Sequence, residues 1–328
     1  MGNPSPYLLE VRELKKHYTS KSGLLSRKKP VVKAVDGISL NIRKGEILGL
    51  VGESGCGKST LGRSILRLIE PTSGNIVFEG QDILAYGKEE KRMMRKELQI
   101  IFQDSGAALN PRMTVGEIIG APLDIYGLAQ GEAKERRINE LLELVGLNKD
   151  YVNRFPHEFS GGQKQRIGIA RALAVEPKLI VCDEPVSALD VSVRAQVLNL
   201  MKELKEKLGL TYLFISHDLS VVHHLCDRVA VMYLGKIVEI TDRNELYGNP
   251  LHPYTKALLS AIPNPNPEIS RERIVLEGDV PSPSNPPAGC SFHTRCPYRM
   301  EQCSVEVPFL RQTQGNHSVS CHLYNDEH

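Results

Sequence analysis

The chain has 328 residues, enough for about two domains, with 41% apolar and 24% charged residues, the balance of a globular protein with a real core. A formal net charge of +2 argues against a strongly basic nucleic-acid binder. No apolar run approaches the ~20 residues needed to cross a bilayer, and the start MGNPSPYLLE has neither a signal-peptide layout nor, with Pro6, an intact myristoylation pattern. The expectation is a soluble, cytoplasmic chain.

Residues 7–17 alternate as a strand does, and Tyr18 follows. Lys21 to Lys33 is a basic loop with Arg27, Lys28 and Lys29 at its crest; a solvated loop and a contact with anionic headgroups or an acidic partner are both open. Ala34 to Ile42 predicts a second strand. The apolar run Ile47 to Val51 predicts a buried strand, and Thr60 to Ile69 a helix stopped by Pro71. Further on, Ile76 to Phe78 and Leu98 to Phe102 read as strands around a charged helix over 88–97. Residues 113–147 are mainly helical, with turn signals at Gly127 and Gly146, and Gly161-Gly162 open a helix to about Val175. Strand 178–182, helix 191–208 and strand 211–215 then alternate, and 228–234 with 236–240 form a hairpin around Gly235. This alternation predicts an α/β core with a largely parallel sheet. Ile262 to Gly289 holds seven prolines in 28 residues, a linker or wrapping arm, and sets a domain boundary near 262.

Between the buried strand and its helix lies Gly52-Glu53-Ser54-Gly55-Cys56-Gly57-Lys58-Ser59, a full match to the phosphate-loop pattern. A strand–loop–helix of this kind aims backbone N–H groups, through Thr60, and the positive helix end at one small volume. Lys58 suits the β- and γ-phosphates and Ser59 a Mg²⁺ ligand. Gly55-Cys56-Gly57 is followed by Lys58, so a nicotinamide fingerprint fails. Ser160-Gly161-Gly162-Gln163 is a second Gly-rich anion site or, taken alone, a capped helix start. Asp183-Glu184 follows a buried strand: Asp183 suits Mg²⁺ through water, and Glu184 suits orienting and deprotonating an attacking water. His217, at another strand end, is placed to touch a γ-phosphate, although a lone histidine there is often structural. An N-K-x-D guanine-reading motif is out of register at Asn148-Lys149-Asp150, which excludes a GTPase reading.

Together these stretches resemble the nucleotide-binding subunits of ATP-binding cassette (ABC) transporters over about residues 7–255. The resemblance implies a P-loop fold with a mostly parallel core sheet, an antiparallel β subdomain and a helical subdomain at about 104–175, within a nucleotide-binding domain 1–261. It places Tyr18 on adenine and makes Gln103 the Q-loop residue, at Mg²⁺ and facing the membrane subunits. Ser187-Ala188-Leu189-Asp190 becomes the D-loop and His217 the switch histidine. Phe159 stands where the family signature has Leu. It further implies that two such subunits clamp head to tail around ATP. One rival class is a soluble ABC ATPase of DNA repair or ribosome recycling, but this chain has one cassette, no coiled-coil insert and no basic face.

Two segments, Phe102 to Gly116 and His252 to Leu259, resemble the oligopeptide/dipeptide importer branch, closest to its F-type dipeptide subunit; nickel and other small-ligand importers share the branch. This implies a second, homologous ATPase subunit, permease subunits, indirectly a substrate-binding protein, no nucleic acid, and a place on the cytoplasmic face of the membrane. Of seven cysteines, Cys290, Cys296, Cys303 and Cys321 crowd into the last domain, 262–328. Clustered thiols in a cytosolic chain point to metal rather than disulfides, and four suit a tetrahedral metal or cluster site. The spacing lacks a C-x2-C pair, which weakens zinc, with or without His293, His317 or His322. The resemblance implies a 4Fe–4S cluster.

Overall fold

The structure is a computed structural model. It describes residues 6–19, 31–262, 273–313 and 315–324. Most of the basic loop from Lys21 and the first prolines of the arm lie outside the described residues.

The chain opens with β1 (Tyr7–Thr19), β2 (Val31–Arg43), β3 (Ile47–Val51), α1 (Lys58–Ile65), β4 (Ser73–Phe78) and β5 (Gln81–Asp82). There follow α2 (Lys88–Glu97), β6 (Leu98–Ile101), α3 (Ser105–Ala108), α4 (Val115–Tyr126), α5 (Gly131–Leu144) and α6 (Gly161–Leu173). Then come β7 (Leu179–Asp183), α7 (Val191–Leu208), β8 (Thr211–Ser216), α8 (Leu219–Leu225), β9 (Arg228–Tyr233) and β10 (Lys236–Asp242). The last elements are α9 (Arg243–Gly248), α10 (Pro253–Ser260), β11 (Arg311–Gln312) and β12 (Ser318–Val319).

These elements form two compact units that do not follow chain order. One comprises Met1–Ile42, Ile47–Leu84 and Ser216–His328, the other Arg43–Glu46 and Ala85–Ile215. In the first unit a four-stranded sheet runs β2-β1-β4-β5, with β1 antiparallel to β4 (Leu9 opposite Phe78, Val11 opposite Ile76). Along β1, Leu9 and Val11 are buried between the more open Glu10 and Arg12, and this alternation breaks at an irregularity between Arg12 and Lys15, where Glu13 turns to φ 46°. A second set runs β11-β12-β10-β9-β3, in which β3 lies parallel to β9 with Val51 opposite Val231. Every residue of β3 and β9 is buried, matching their unbroken apolar sequences. β9 turns into β10 through Leu234-Gly235, both at positive φ (42° and 77°). Two left-handed residues make the hairpin turn whose twist suits the flanking strands, and glycine accepts its share without strain. The tail joins the same sheet: β12 pairs antiparallel with β10, Val319 opposite Glu239.

In the second unit, β8, β7 and β6 run parallel, Cys182 opposite Phe214 on one side and Ile101 on the other. Helices α4, α5 and α6 pack against one another beside them. The architecture is therefore a mixed α/β P-loop fold with parallel core strands, an antiparallel sheet and a helical group. One helix is shorter than its periodicity predicts. α1 stops at Ile65, not Ile69, because Arg67 turns left-handed (φ 50°) and sends its buried guanidinium to the Ile83 carbonyl (2.6 Å) and the Glu70 carboxylate. Helices α8 to α10 and strands β11 and β12 carry too few residues for a periodic signal.

Candidate nucleotide site

Parallel pairing of β3 with β9 sets the start of the 52–59 loop beside the end of β9. A Cβ on Gly52 would sit 2.1 Å from the Met232 carbonyl oxygen, and one on Gly57 1.9 Å from that of Ala34. Both glycines also hold positive φ, so no other residue fits either place. The β9–β10 turn braces the loop, the Gly235 N–H donating to the Cys56 carbonyl at 2.9 Å. Gly57 precedes α1 with no side-chain cap, which leaves the first N–H groups of the helix for an anion. The buried Lys58 ammonium donates to the carbonyls of Gly52 (2.8 Å) and Glu53 (3.0 Å), folded back into the loop that a polyphosphate would fill. Burial pushes the Cys56 thiol up, with Lys58 pulling less strongly the other way, so this thiol stays protonated and unreactive. In the same unit Tyr18 is 39% exposed at the end of β1, with the Lys16 ammonium 5.0 Å from its ring centre, and His217 is exposed at the end of β8.

The other predicted residues fall on the second unit. Asp183 is buried as the last residue of β7, and the half-buried Glu184 follows it in the left-handed region (φ 50°). That conformation costs a bulky residue about 1–3 kcal/mol. It is held by the Glu184 N–H donating to the Ile215 carbonyl (3.0 Å) and by the Ser187 hydroxyl donating to the Glu184 carbonyl (3.1 Å). Gln103, exposed after β6, donates from Nε2 to Glu184 Oε2 at 3.2 Å, so these two residues are brought together. Ser160 and Gln163 cap α6 reciprocally: the Ser160 hydroxyl accepts from the Gln163 N–H (3.4 Å) and Gln163 Oε1 accepts from the Ser160 N–H (3.0 Å). The capped helix start is thus observed, while the anion-site reading of the same stretch rests on the free N–H groups a helix start offers. A Cβ on Gly162 would meet Val193 of α7 at 2.3 Å, which explains the glycine there.

No disulfide links the four tail cysteines. Burial first, and then the neighbouring thiols, push Cys290 and Cys321 up, Cys321 to about 12. Cys296 is raised by burial and by Cys303. The four sulfurs therefore share one neighbourhood. Among the described residues, however, no group of three or more His, Cys, Asp or Glu is arranged to hold a metal ion. Three of the tail histidines, all among the described residues, are spent on oxygens: His317 Nε2 on Glu239 (2.6 Å), His322 Nε2 on the Glu306 carbonyl and His293 Nδ1 on the Cys290 carbonyl. Sequence reasoning missed Tyr254 and Arg295, which hold the phosphate loop from behind. The Glu53 N–H donates to the Tyr254 hydroxyl (2.9 Å), and Arg295 pairs with the Glu53 carboxylate.

The family pattern described as "ABC transporter" matches residues 35–187, and that described as "Oligopeptide/dipeptide transporter, C-terminal region" matches 238–303. The oligopeptide transport ATP-binding protein AppF of Bacillus subtilis is 55% identical over 97% of this chain and 98% of its own. A putative peptide import ATP-binding protein of Brucella ovis is 54% identical over 96% of this chain and 97% of its own. Among solved structures, the dimeric ATP-binding cassette MJ0796 in a post-hydrolysis state bound to ADP and Pi is 30% identical, with a TM-score of 0.63 over 72% of this chain and 98% of that one. Fold and site thus define an ABC-type ATPase. Within that class, the chain belongs to the family of ATP-binding subunits of oligopeptide/dipeptide ABC transporters. Among the described residues no helix is long and apolar enough to cross a membrane. Membership of this family implies membrane permease partners.

Proposed function

We propose that the chain energises uptake of di- and oligopeptides as one of two homologous ATPase subunits docked on permeases at the cytoplasmic face of the membrane. The observation that carries the peptide assignment is the match of residues 238–303 to the oligopeptide/dipeptide C-terminal pattern, a segment outside the 35–187 match to the general ABC transporter pattern. In this reading Gly52 to Thr60, with Lys58 foremost, cradle the phosphates of ATP, and Tyr18 stacks on adenine. Ser59, Gln103 and Asp183 serve Mg²⁺, and His217 reads the γ-phosphate. Ser160 to Gln163 present their helix start to the ATP of a partner subunit, since a polyphosphate joins two positive helix ends. Bound ATP favours the clamped pair, hydrolysis removes the bridge, and that difference moves the permeases.

Glu184 is the proposed base for the attacking water. Its backbone is already fixed by Ile215 and Ser187, and Gln103 holds its carboxylate until nucleotide arrives. Glu184→Gln is expected to keep ATP binding while turnover falls at least ~10²-fold, the scale of a positioned base. A near-normal rate of phosphate release would remove Glu184 from the role.

For the tail, the reading is a 4Fe–4S cluster held by Cys290, Cys296, Cys303 and Cys321. The donor set fits in kind, being four free thiols, of which Cys290, Cys296 and Cys321 are raised by burial and by their thiol neighbours. When bound, the cluster would staple a tail too short and proline-rich to build much core alone. Full-length protein purified without oxygen is expected to be brown and to contain close to four irons per chain; a colourless, iron-free sample ends this part of the reading.

A further inference from the structure

Glu53 puts a carboxylate inside a loop built to receive a polyphosphate, where like charges repel. The structure answers that charge from the tail. Arg295 Nη1 lies 2.9 Å from Glu53 Oε2 and Nη2 lies 3.2 Å from Oε1, a bidentate pair across 242 residues of sequence. The Arg295 side chain is only 8% exposed, and its guanidinium lies 6.0 Å from the centre of the Tyr233 ring. A planar fork in a half-dry setting fixes direction as well as charge. Arg295 ends the single 3-10 turn His293–Arg295 that follows Phe292, its N–H donating to the Phe292 carbonyl (3.0 Å). Phe292 is 1% exposed and packs on Tyr233 (5.3 Å) and Tyr254 (5.4 Å). Tyr254, in turn, accepts the Glu53 N–H. One tail turn between Cys290 and Cys296 thus reaches both the side chain and, through Tyr254, the backbone of the same loop residue.

We propose that Arg295 is a positioning residue for the nucleotide site: it neutralises and anchors Glu53, so that the folded cysteine-rich tail sets the affinity of the phosphate loop for ATP. This deepens the function proposed above and rests on residues 52–59 being the nucleotide site. The other stretches that brace the loop, the Gly235 turn and the Ala34 carbonyl, are flanked by Lys236 and Lys33, and both of these lysines pair with Asp36 (3.6 and 3.9 Å).

The test is equilibrium titration of the full-length chain with a fluorescent ATP analogue, without Mg²⁺, at low and high salt. Arg295→Gln is expected to weaken binding about 10-fold, within the usual range of coupling between sites. Adding Glu53→Gln to that variant is expected to recover most of the loss, because the uncompensated charge is then gone. The Arg295→Gln defect should also shrink at high salt, where charge repulsion is screened. Damage to tail packing alone would be neither rescued by Glu53→Gln nor relieved by salt. Should Arg295→Gln not fold, as judged by its melting curve, Arg295→Lys carries the comparison, keeping charge but losing the fork, with a smaller defect that Glu53→Gln still reduces. Lys58→Ala is the control. Loss of binding in Lys58→Ala with wild-type binding in Arg295→Gln, or a defect that Glu53→Gln leaves untouched, overturns the proposal. Unchanged binding in Lys58→Ala would instead overturn the assignment of the site.

Discussion

At the scale of single residues, two buried groups tie the chain after β10 into one acid-sensitive unit. Burial pushes His252 down to about 4, Glu239 pulling it up and Lys256 down by smaller amounts. The neutral ring accepts the Tyr254 N–H at Nδ1 (3.0 Å), which a protonated ring could not do. Glu239, 0% exposed, would be raised by burial, but His317 and the N–H groups of Leu251 and His252 outweigh that and hold it below its usual value. A histidine kept neutral stabilises the fold fully above its unfolded pKa of about 6.5, and the contribution is lost as pH falls from there toward 4. The carboxylate works in the same direction in a lower window, its share being lost only as pH drops through its depressed value. Melting midpoints measured from pH 7 down are therefore expected to start falling near pH 6.5, with about 3 kcal/mol lost by pH 4 through His252. His252→Asn, which keeps a capping acceptor, should flatten the curve between pH 6.5 and 5.

Among the elements, the start of α4 is defined by chemistry rather than by burial. The Thr114 hydroxyl accepts from the Glu117 N–H (3.3 Å), and Glu117 Oε2 accepts from the Thr114 N–H (2.7 Å). This reciprocal box closes two orphan donors at the head of a helix that also carries Pro122 within it. Proline removes a hydrogen bond midway, so the helix depends more on its first turn and on packing against α6. Thr114→Ala is expected to cost about 1 kcal/mol, read as a lower denaturant midpoint. Helices bounded by turn signals in the sequence, such as α4 before Gly127 and α7 before Gly209, can be placed from the sequence almost to the residue. α1 cannot, because the side chain that ends it, Arg67, is bonded to Ile83, 16 residues away.

Taken whole, the molecule uses its last fifty residues as a cover rather than an appendage. β12 closes the edge of β10, His317 meets the buried Glu239, and Phe292 fills the pocket between Tyr233 and Tyr254. Removing the tail would leave a buried carboxylate without its imidazole, an open strand edge and the rings of Tyr233 and Tyr254 stripped of their Phe292 cover. A chain ending at Ala261 is expected to melt at least ~5 °C lower than the full length and to aggregate, as thermal scans and light scattering would show.

The phosphate loop, the carboxylate pair, the capped signature helix and the alternation of strands with helices were legible because each is a short-range pattern. Spacing along the chain dictates where those side chains and N–H groups point, whatever surrounds them. Gly52 to Ser59 and Asp183-Glu184 are of this kind. The link from Arg295 to Glu53, the burial of Glu239 under His317 and the pairing of β12 with β10 left no such trace. They arise only when the chain closes on itself, since a lone arginine or histidine between cysteines has no period and no fixed partner until packing supplies one.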